Sequence, residues 1–210
     1  QREYPEMSLT VQGAQDYYVF AFVKSLLEQS EQPLFVVAQT INNHPPYEVP
    51  LVPGIEQELV VTERMRYING SLPDDALRTY YNSAEIIGDF ISHIKDGRLA
   101  SNTVFAFTGD HGARGLRTSS NTSLSQKAVP FYIYLPTYLR TNQHVDKNGV
   151  ASHRDIMPTL YNYTRNMFDF FNNEMMFDFI VNAEDLGATP NTSTVKSKPL
   201  DNNLLVAVFL

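Results

Sequence analysis

The stretch Asn102-Thr103-Val104-Phe105-Ala106-Phe107-Thr108-Gly109-Asp110-His111-Gly112 decides the fold class. Six apolar or β-branched residues, Thr103 to Thr108, run without alternation, as in a strand covered on both faces, and the run stops at a glycine that lets the backbone turn. A strand followed at once by Gly-Asp-His-Gly puts a carboxylate and an imidazole at a strand's carboxyl end. In open α/β sheets ligands bind at that end.

Working outward, Leu34-Phe35-Val36-Val37-Ala38 is a second run of the same kind, and it leads to Asn42-Asn43-His44-Pro45-Pro46, where two prolines forbid continuation. Between the two runs, Leu77, Tyr80, Tyr81, Ala84, Ile87, Ile91 and Ile94 recur at three or four residues, after Pro73-Asp74-Asp75 and before Gly97. That spacing predicts a long helix with those residues on its apolar face. Residues 16–28 carry a broad apolar helical face, Val129 to Leu135 reads as a third strand, Asp155 to Tyr163 as a short helix, and Leu204 to Leu210 as a last strand. Residues 47–72 lack lasting periodicity and read as a long surface loop. Strand and helix in alternation imply a mostly parallel sheet with helices on both faces.

Composition narrows the function classes. The 210 residues are 43% hydrophobic and 19% charged, which suits one compact α/β domain, and 16 basic against 23 acidic side chains leave a net charge of −7. Such a chain has no global electrostatic footprint for nucleic acid or anionic membranes. Cysteine is absent, so thiol catalysis, disulfides and thiolate metal sites are excluded, and any metal must rest on oxygen and imidazole. No apolar run reaches the roughly 20 residues that span a bilayer.

Asp110 and His111 offer one hard oxygen and one imidazole, a donor set for a divalent ion; alternatively Asp110 caps a turn and His111 packs as a neutral ring. His44, on a stiff proline loop, suits hydrogen bonding to a phosphoryl or sulfuryl oxygen, or is a loop histidine held by backbone carbonyls. His153 opens a helix whose amino end favours an anion, although Ser152 and Asp155 explain the same start as plain capping. Arg114 and Arg117 follow the Asp-His loop and could clamp a phosphate through two oxygens each. His93 and His144 show no partner in sequence. Asn69, Asn121, Asn162 and Asn191 begin glycosylation sequons, which matter only in a eukaryotic secretory setting, and the Phe168–Phe179 cluster reads as a flap over the core.

Taken in order, Thr40-Ile41-Asn42-Asn43-His44-Pro45-Pro46-Tyr47, then Tyr80 to Phe90, Asn102 to Gly112, Val129 to Pro136, and Ser152-His153-Arg154-Asp155-Ile156-Met157-Pro158-Thr159-Leu160 resemble segments of lipoteichoic acid synthase-like and phosphoglycerol transferase proteins. These form part of the sulfatase branch of the alkaline phosphatase superfamily. The resemblance covers roughly residues 13–163. It implies a three-layer α/β/α sandwich, with residues 1–210 as the C-terminal portion of a single catalytic domain that is incomplete at the N-terminal side.

The resemblance further implies a Thr or Ser nucleophile that attacks a phosphodiester through a covalent intermediate, with Asp110 and His111 as metal ligands and His44, Arg114 and His153 around the substrate phosphate. Manganese is the first expectation for the metal, with zinc, calcium or magnesium as alternatives. The nucleophile and an early acidic ligand would precede Gln1; Thr40 and Thr108 stand near strand ends but not in the nucleophile's context, so this portion alone would be inactive. A lipid-headgroup substrate, an upstream membrane anchor and an extracytoplasmic location are also implied. The competing readings are a sulfate-ester hydrolase, a non-catalytic remnant that binds glycan or protein, and an ordinary α/β binding module with structural histidines.

Overall fold

The computed structural model describes residues 9, 13–48, 59–113, 115, 127–140 and 151–163, and the backbone of 10, 180–181 and 205–209. A two-stranded antiparallel ribbon, β1 (Leu9–Thr10) with β2 (Gly13–Ala14), leads into α1 (Asp16–Gln29) and β3 (Leu34–Ala38). Helices α2 (Glu63–Asn69) and α3 (Asp74–Asp96) then lead to β4 (Thr103–Thr108). Strand β5 (Phe131–Tyr134), helix α4 (Ile156–Tyr163), and strands β6 (Ile180–Val181) and β7 (Leu205–Phe209) complete the chain.

The main sheet has the order β5-β4-β7-β3-β6. Strands β3, β4, β6 and β7 are parallel and β5 is an antiparallel edge, so the mostly parallel sheet expected from the apolar runs is present. Period-two alternation on buried strands sorts their side chains into two layers. Val36, Ala38, Phe105 and Phe107 face α1 and α3, where they meet Val19, Phe20, Val23, Leu27, Ile86, Phe90 and Ile94. Val104 and Ala106 face the other way, against Leu160 and Ile156 at α4. The result is a three-layer α/β/α arrangement, as the sequence resemblance implied. At the heart of the first layer, Phe90 lies 5.2 Å from Phe20 and 6.2 Å from Phe105, and Phe105 stacks on its cross-strand neighbour Tyr134 at 4.7 Å.

Three expectations need correction. Residues 47–72 are not loop throughout: α2 forms there, capped where the Thr62 side chain accepts the Met65 N–H at 3.3 Å. It is tied to α3 by Arg66, which sits 2.9 Å from Asp74 and 2.7 Å from Glu63, and by Asn69, whose buried amide donates to the carbonyls of Leu72 and Pro73. The apolar face of α3 is also rotated from the expected one. Ala76, Thr79, Asn82, Ser83, Ile86, Phe90 and Ile94 are buried, whereas Tyr80 is 66% exposed and Ala84 is exposed. Within this half of α3, Ser83 meets the buried Asp16 carboxylate and Thr79 turns its hydroxyl to the carbonyls of Asp75 and Ala76. Finally, His93 is partnered, its Nε2 lying 2.7 Å from Glu28 across α1 and α3.

Candidate functional site

Strands β3 and β4 both flank β7, with Ala38 and Phe107 each in register with Phe209. Because the three strands are parallel, the loops that carry His44 and Asp110-His111 leave the same rim, two strand spacings or about 10 Å apart. Helix α1 begins at this rim too. Its first residue, Asp16, is 1% exposed, and its Oδ1 accepts the N–H groups of Ile41 (2.8 Å) and Asn42 (3.1 Å). In return the Asp16 N–H donates to Asn42 Oδ1 at 3.1 Å, and Ser83 Oγ, from the middle of α3, donates to Asp16 Oδ2 at 3.2 Å. Burial pushes the Asp16 carboxyl above its usual value of 3.8, against the pull of the amides of Ile41 and Asn42 and the Ser83 hydroxyl.

His44 closes the turn that Asp16 holds, its N–H donating to Ile41 O at 2.9 Å. The ring is exposed, and Nδ1 lies 2.7 Å from the Pro45 carbonyl. A carbonyl only accepts, so Nδ1 carries the hydrogen and Nε2 the lone pair. Donation from Nε2 to an anionic oxygen therefore requires the imidazolium.

On the other loop, Asp110 Oδ1 accepts the His111 N–H at 2.8 Å, which is the turn-capping role foreseen as an alternative. Neither side chain is packed away: Asp110 is 71% and His111 64% exposed. His111 Nδ1 lies 3.0 Å from Gly112 O and so holds the ring hydrogen, leaving the Nε2 lone pair 3.5 Å from Asp110 Oδ2. Two acceptors face one another across that gap, and a proton or a cation is what such a pair accepts. A carboxylate oxygen and an imidazole nitrogen 3.5 Å apart are close enough to serve as neighbouring donors to one divalent ion. Among the described residues no group of three or more His, Asp or Glu is assembled for a metal ion.

The third histidine joins this loop from the opposite face of the sheet. His153 Nε2 lies 2.7 Å from Gly109 O and must donate to it. Ser152 donates both its N–H (2.7 Å) and its hydroxyl (3.0 Å) to Asp155, so the capping reading of this helix start is present alongside the histidine contact. Those two bonds, the backbone one first, hold the Asp155 carboxyl below its usual 3.8. Downstream of the loop, Ser71 N–H donates to Gly115 O at 3.2 Å, and Gly115 has φ +92°. The Asp-His loop is thus fixed from both sides. Arg114, Arg117, His144 and the Phe168–Phe179 cluster lie outside the described residues.

With this geometry in view, comparison with protein families gives a match to the sulfatase family model over residues 2–167. The chain belongs to the sulfatase family. Comparison with curated proteins and with solved structures gives no match. Membership of the sulfatase family makes the fold alkaline phosphatase-like and the chemistry that of a hydrolase or transferase in general, in domains that generally depend on a divalent metal. The exposed Asp110-His111 pair fits two of the oxygen and nitrogen donors such a metal needs. Sequence reasoning missed Asp16, because an aspartate opening a helix reads as an ordinary first-turn acid, and its partners Asn42, in the loop after β3, and Ser83, on α3, stand far from it in sequence.

Proposed function

We propose that this sulfatase-family chain is the C-terminal portion of the catalytic domain of a metal-dependent phosphoryl-group transferase or phosphodiester hydrolase, of the phosphoglycerol or phosphoethanolamine type. One observation supports it most: the loops after β3 and β4, bearing an exposed imidazole and an exposed carboxylate-imidazole pair, leave one rim of the sheet. Asp110 and His111 would hold the metal, manganese in the first instance, which would supply Lewis-acid neutralisation of phosphoryl oxygens. His44, as imidazolium, donates from Nε2 to a non-bridging oxygen, and Arg114, which follows the Asp-His loop in sequence, adds a forked donor. His153 acts through Gly109 on the loop rather than on the phosphate.

The nucleophile, a Thr or Ser hydroxyl, lies ahead of Gln1 and attacks phosphorus. The bond to the leaving alcohol breaks, and the alcohol takes up a proton. Water or an acceptor hydroxyl then releases the group. The donor is a lipid headgroup reached from an extracytoplasmic position, with a membrane anchor earlier in the chain.

Sulfate-ester hydrolysis is the second reading, favoured by the family match itself. The test is an assay of the full-length protein against an aryl sulfate, an aryl phosphate, phosphatidylglycerol and phosphatidylethanolamine, with manganese and after chelation. Metal-dependent turnover of the phosphodiesters, lost in Asp110→Ala, supports the proposal. Turnover of the sulfate ester alone overturns it in favour of the second reading, and activity indifferent to Asp110 and to metal overturns both.

A further inference from the structure

The buried carboxylate of Asp16 is used by none of the chemistry above, yet it organises the turn that carries His44. It accepts two consecutive backbone N–H groups, of Ile41 and Asn42, and returns its own N–H to the Asn42 side chain. The next backbone bond along, from His44 N–H, goes to Ile41 O, so the histidine hangs directly from the residue that Asp16 grips. A third bond from Ser83 aims the second carboxylate oxygen at the same corner from α3. The corner also leaves Asn42 Nδ2 and Gln15 Oε1 buried without hydrogen-bond partners among the described residues, which costs stability. A helix start needs no such arrangement. An exposed Ser or Thr cap would satisfy α1 alone.

We infer that Asp16 is a positioning residue: through the amides of Ile41 and Asn42 it sets the place of the His44 imidazole relative to the Asp110-His111 loop, with Ser83 as its brace. The inference rests on the role given to His44 in the proposed function. Loss of the carboxylate frees the Ile41–His44 turn from α1 while leaving the sheet and the Asp-His loop intact. Misplacement of a binding group by about 1 Å costs up to about 100-fold in rate.

The test is a double-mutant cycle in the full-length protein, read as kcat/KM toward the phosphodiester that the wild type turns over, with manganese content and thermal unfolding measured on every variant. Asp16→Ala is expected to lose about 10- to 100-fold in kcat/KM at unchanged metal content, and to lose little further in a His44→Ala background. Asp16→Asn, which keeps an acceptor for both amides and turns its NH2 to Ser83, is expected to retain activity within about threefold and serves if the alanine variant does not fold. Equal losses from Asp16→Ala with and without His44 overturn the inference, as does metal loss in Asp16→Asn. An inactive Asp16→Asn protein with wild-type unfolding also overturns it. If His44→Ala alone leaves kcat/KM unchanged, the role of His44 fails first and this inference falls with it.

Discussion

His153 donates its Nε2 hydrogen to the carbonyl oxygen of Gly109, 2.7 Å away, and thereby ties the start of α4 to the loop that carries Asp110 and His111. The two segments lie on different elements and meet only because β4 ends where α4 begins. A bond of this kind orients ligands it does not touch. His153→Ala is expected to weaken manganese binding by the full-length protein about 10- to 100-fold while leaving the fold intact, and isothermal titration measures it. Unchanged affinity would show that Gly109 holds its place without the imidazole.

The first core layer turns on Phe90, which contacts Phe20, Phe105 and Phe107 across α1, α3 and β4. Phe90→Ala is expected to cost about 3–5 kcal/mol in chemical denaturation, because ring burial is lost and a rigid strand layer cannot close the void. Tyr80→Ala, on the exposed face of the same helix, is expected to change stability by less than about 0.5 kcal/mol.

How much of this was readable beforehand differs by element. The runs at 34–38 and 103–108 announce buried strands because both faces are apolar, and the long helix announces itself by spacing alone. The central place of β7 was not readable: Leu34 pairs with Leu205, and nothing local in either strand names the other. Helix α2 escaped because Glu63-Arg64-Met65-Arg66 has no apolar stripe, and its support comes from Asp74 and from capping. The strand-end histidines were legible as candidates from position, but their tautomers depend on carbonyls of Pro45, Gly112 and Gly109 that only the folded backbone aims.

Asp16 and Asp155 should respond to acid in opposite senses. The Asp16 carboxyl is raised above 3.8 by burial, so the folded state binds its proton more tightly than the unfolded chain and loses stability as pH rises from 3.8 through the raised value. The difference in unfolding free energy between Asp16→Asn and wild type should therefore move toward the variant as pH rises across that window. Asp155 is lowered, first by the Ser152 backbone N–H, so its contribution is present above 3.8 and is lost as pH falls through the lower value. Asp155→Asn should destabilise near neutral pH and cease to matter in strong acid. Denaturant titrations over a pH series check both signs, and parallel curves for the two variants would refute this assignment.

Gly115 holds a backbone with φ +92°, and a Cβ there would stand 2.5 Å from Ser71 Oγ. Gly115→Ala should cost about 1 kcal/mol or more and loosen the Asp-His loop, seen as faster amide exchange at residues 109–113. Wild-type exchange in that variant would mean that the clasp with Ser71 does not hold the loop.

The central claim is that His44 and the Asp110-His111 pair work at one rim on one substrate. Histidine-labelled full-length protein, titrated with manganese, tests it most directly, because the paramagnetic ion broadens nuclei near it. The His44 ring resonances are expected to broaden together with those of His111, and the effect on His44 should vanish in Asp110→Ala. Sharp His44 signals at saturating manganese, with those of His111 lost, would contradict the account.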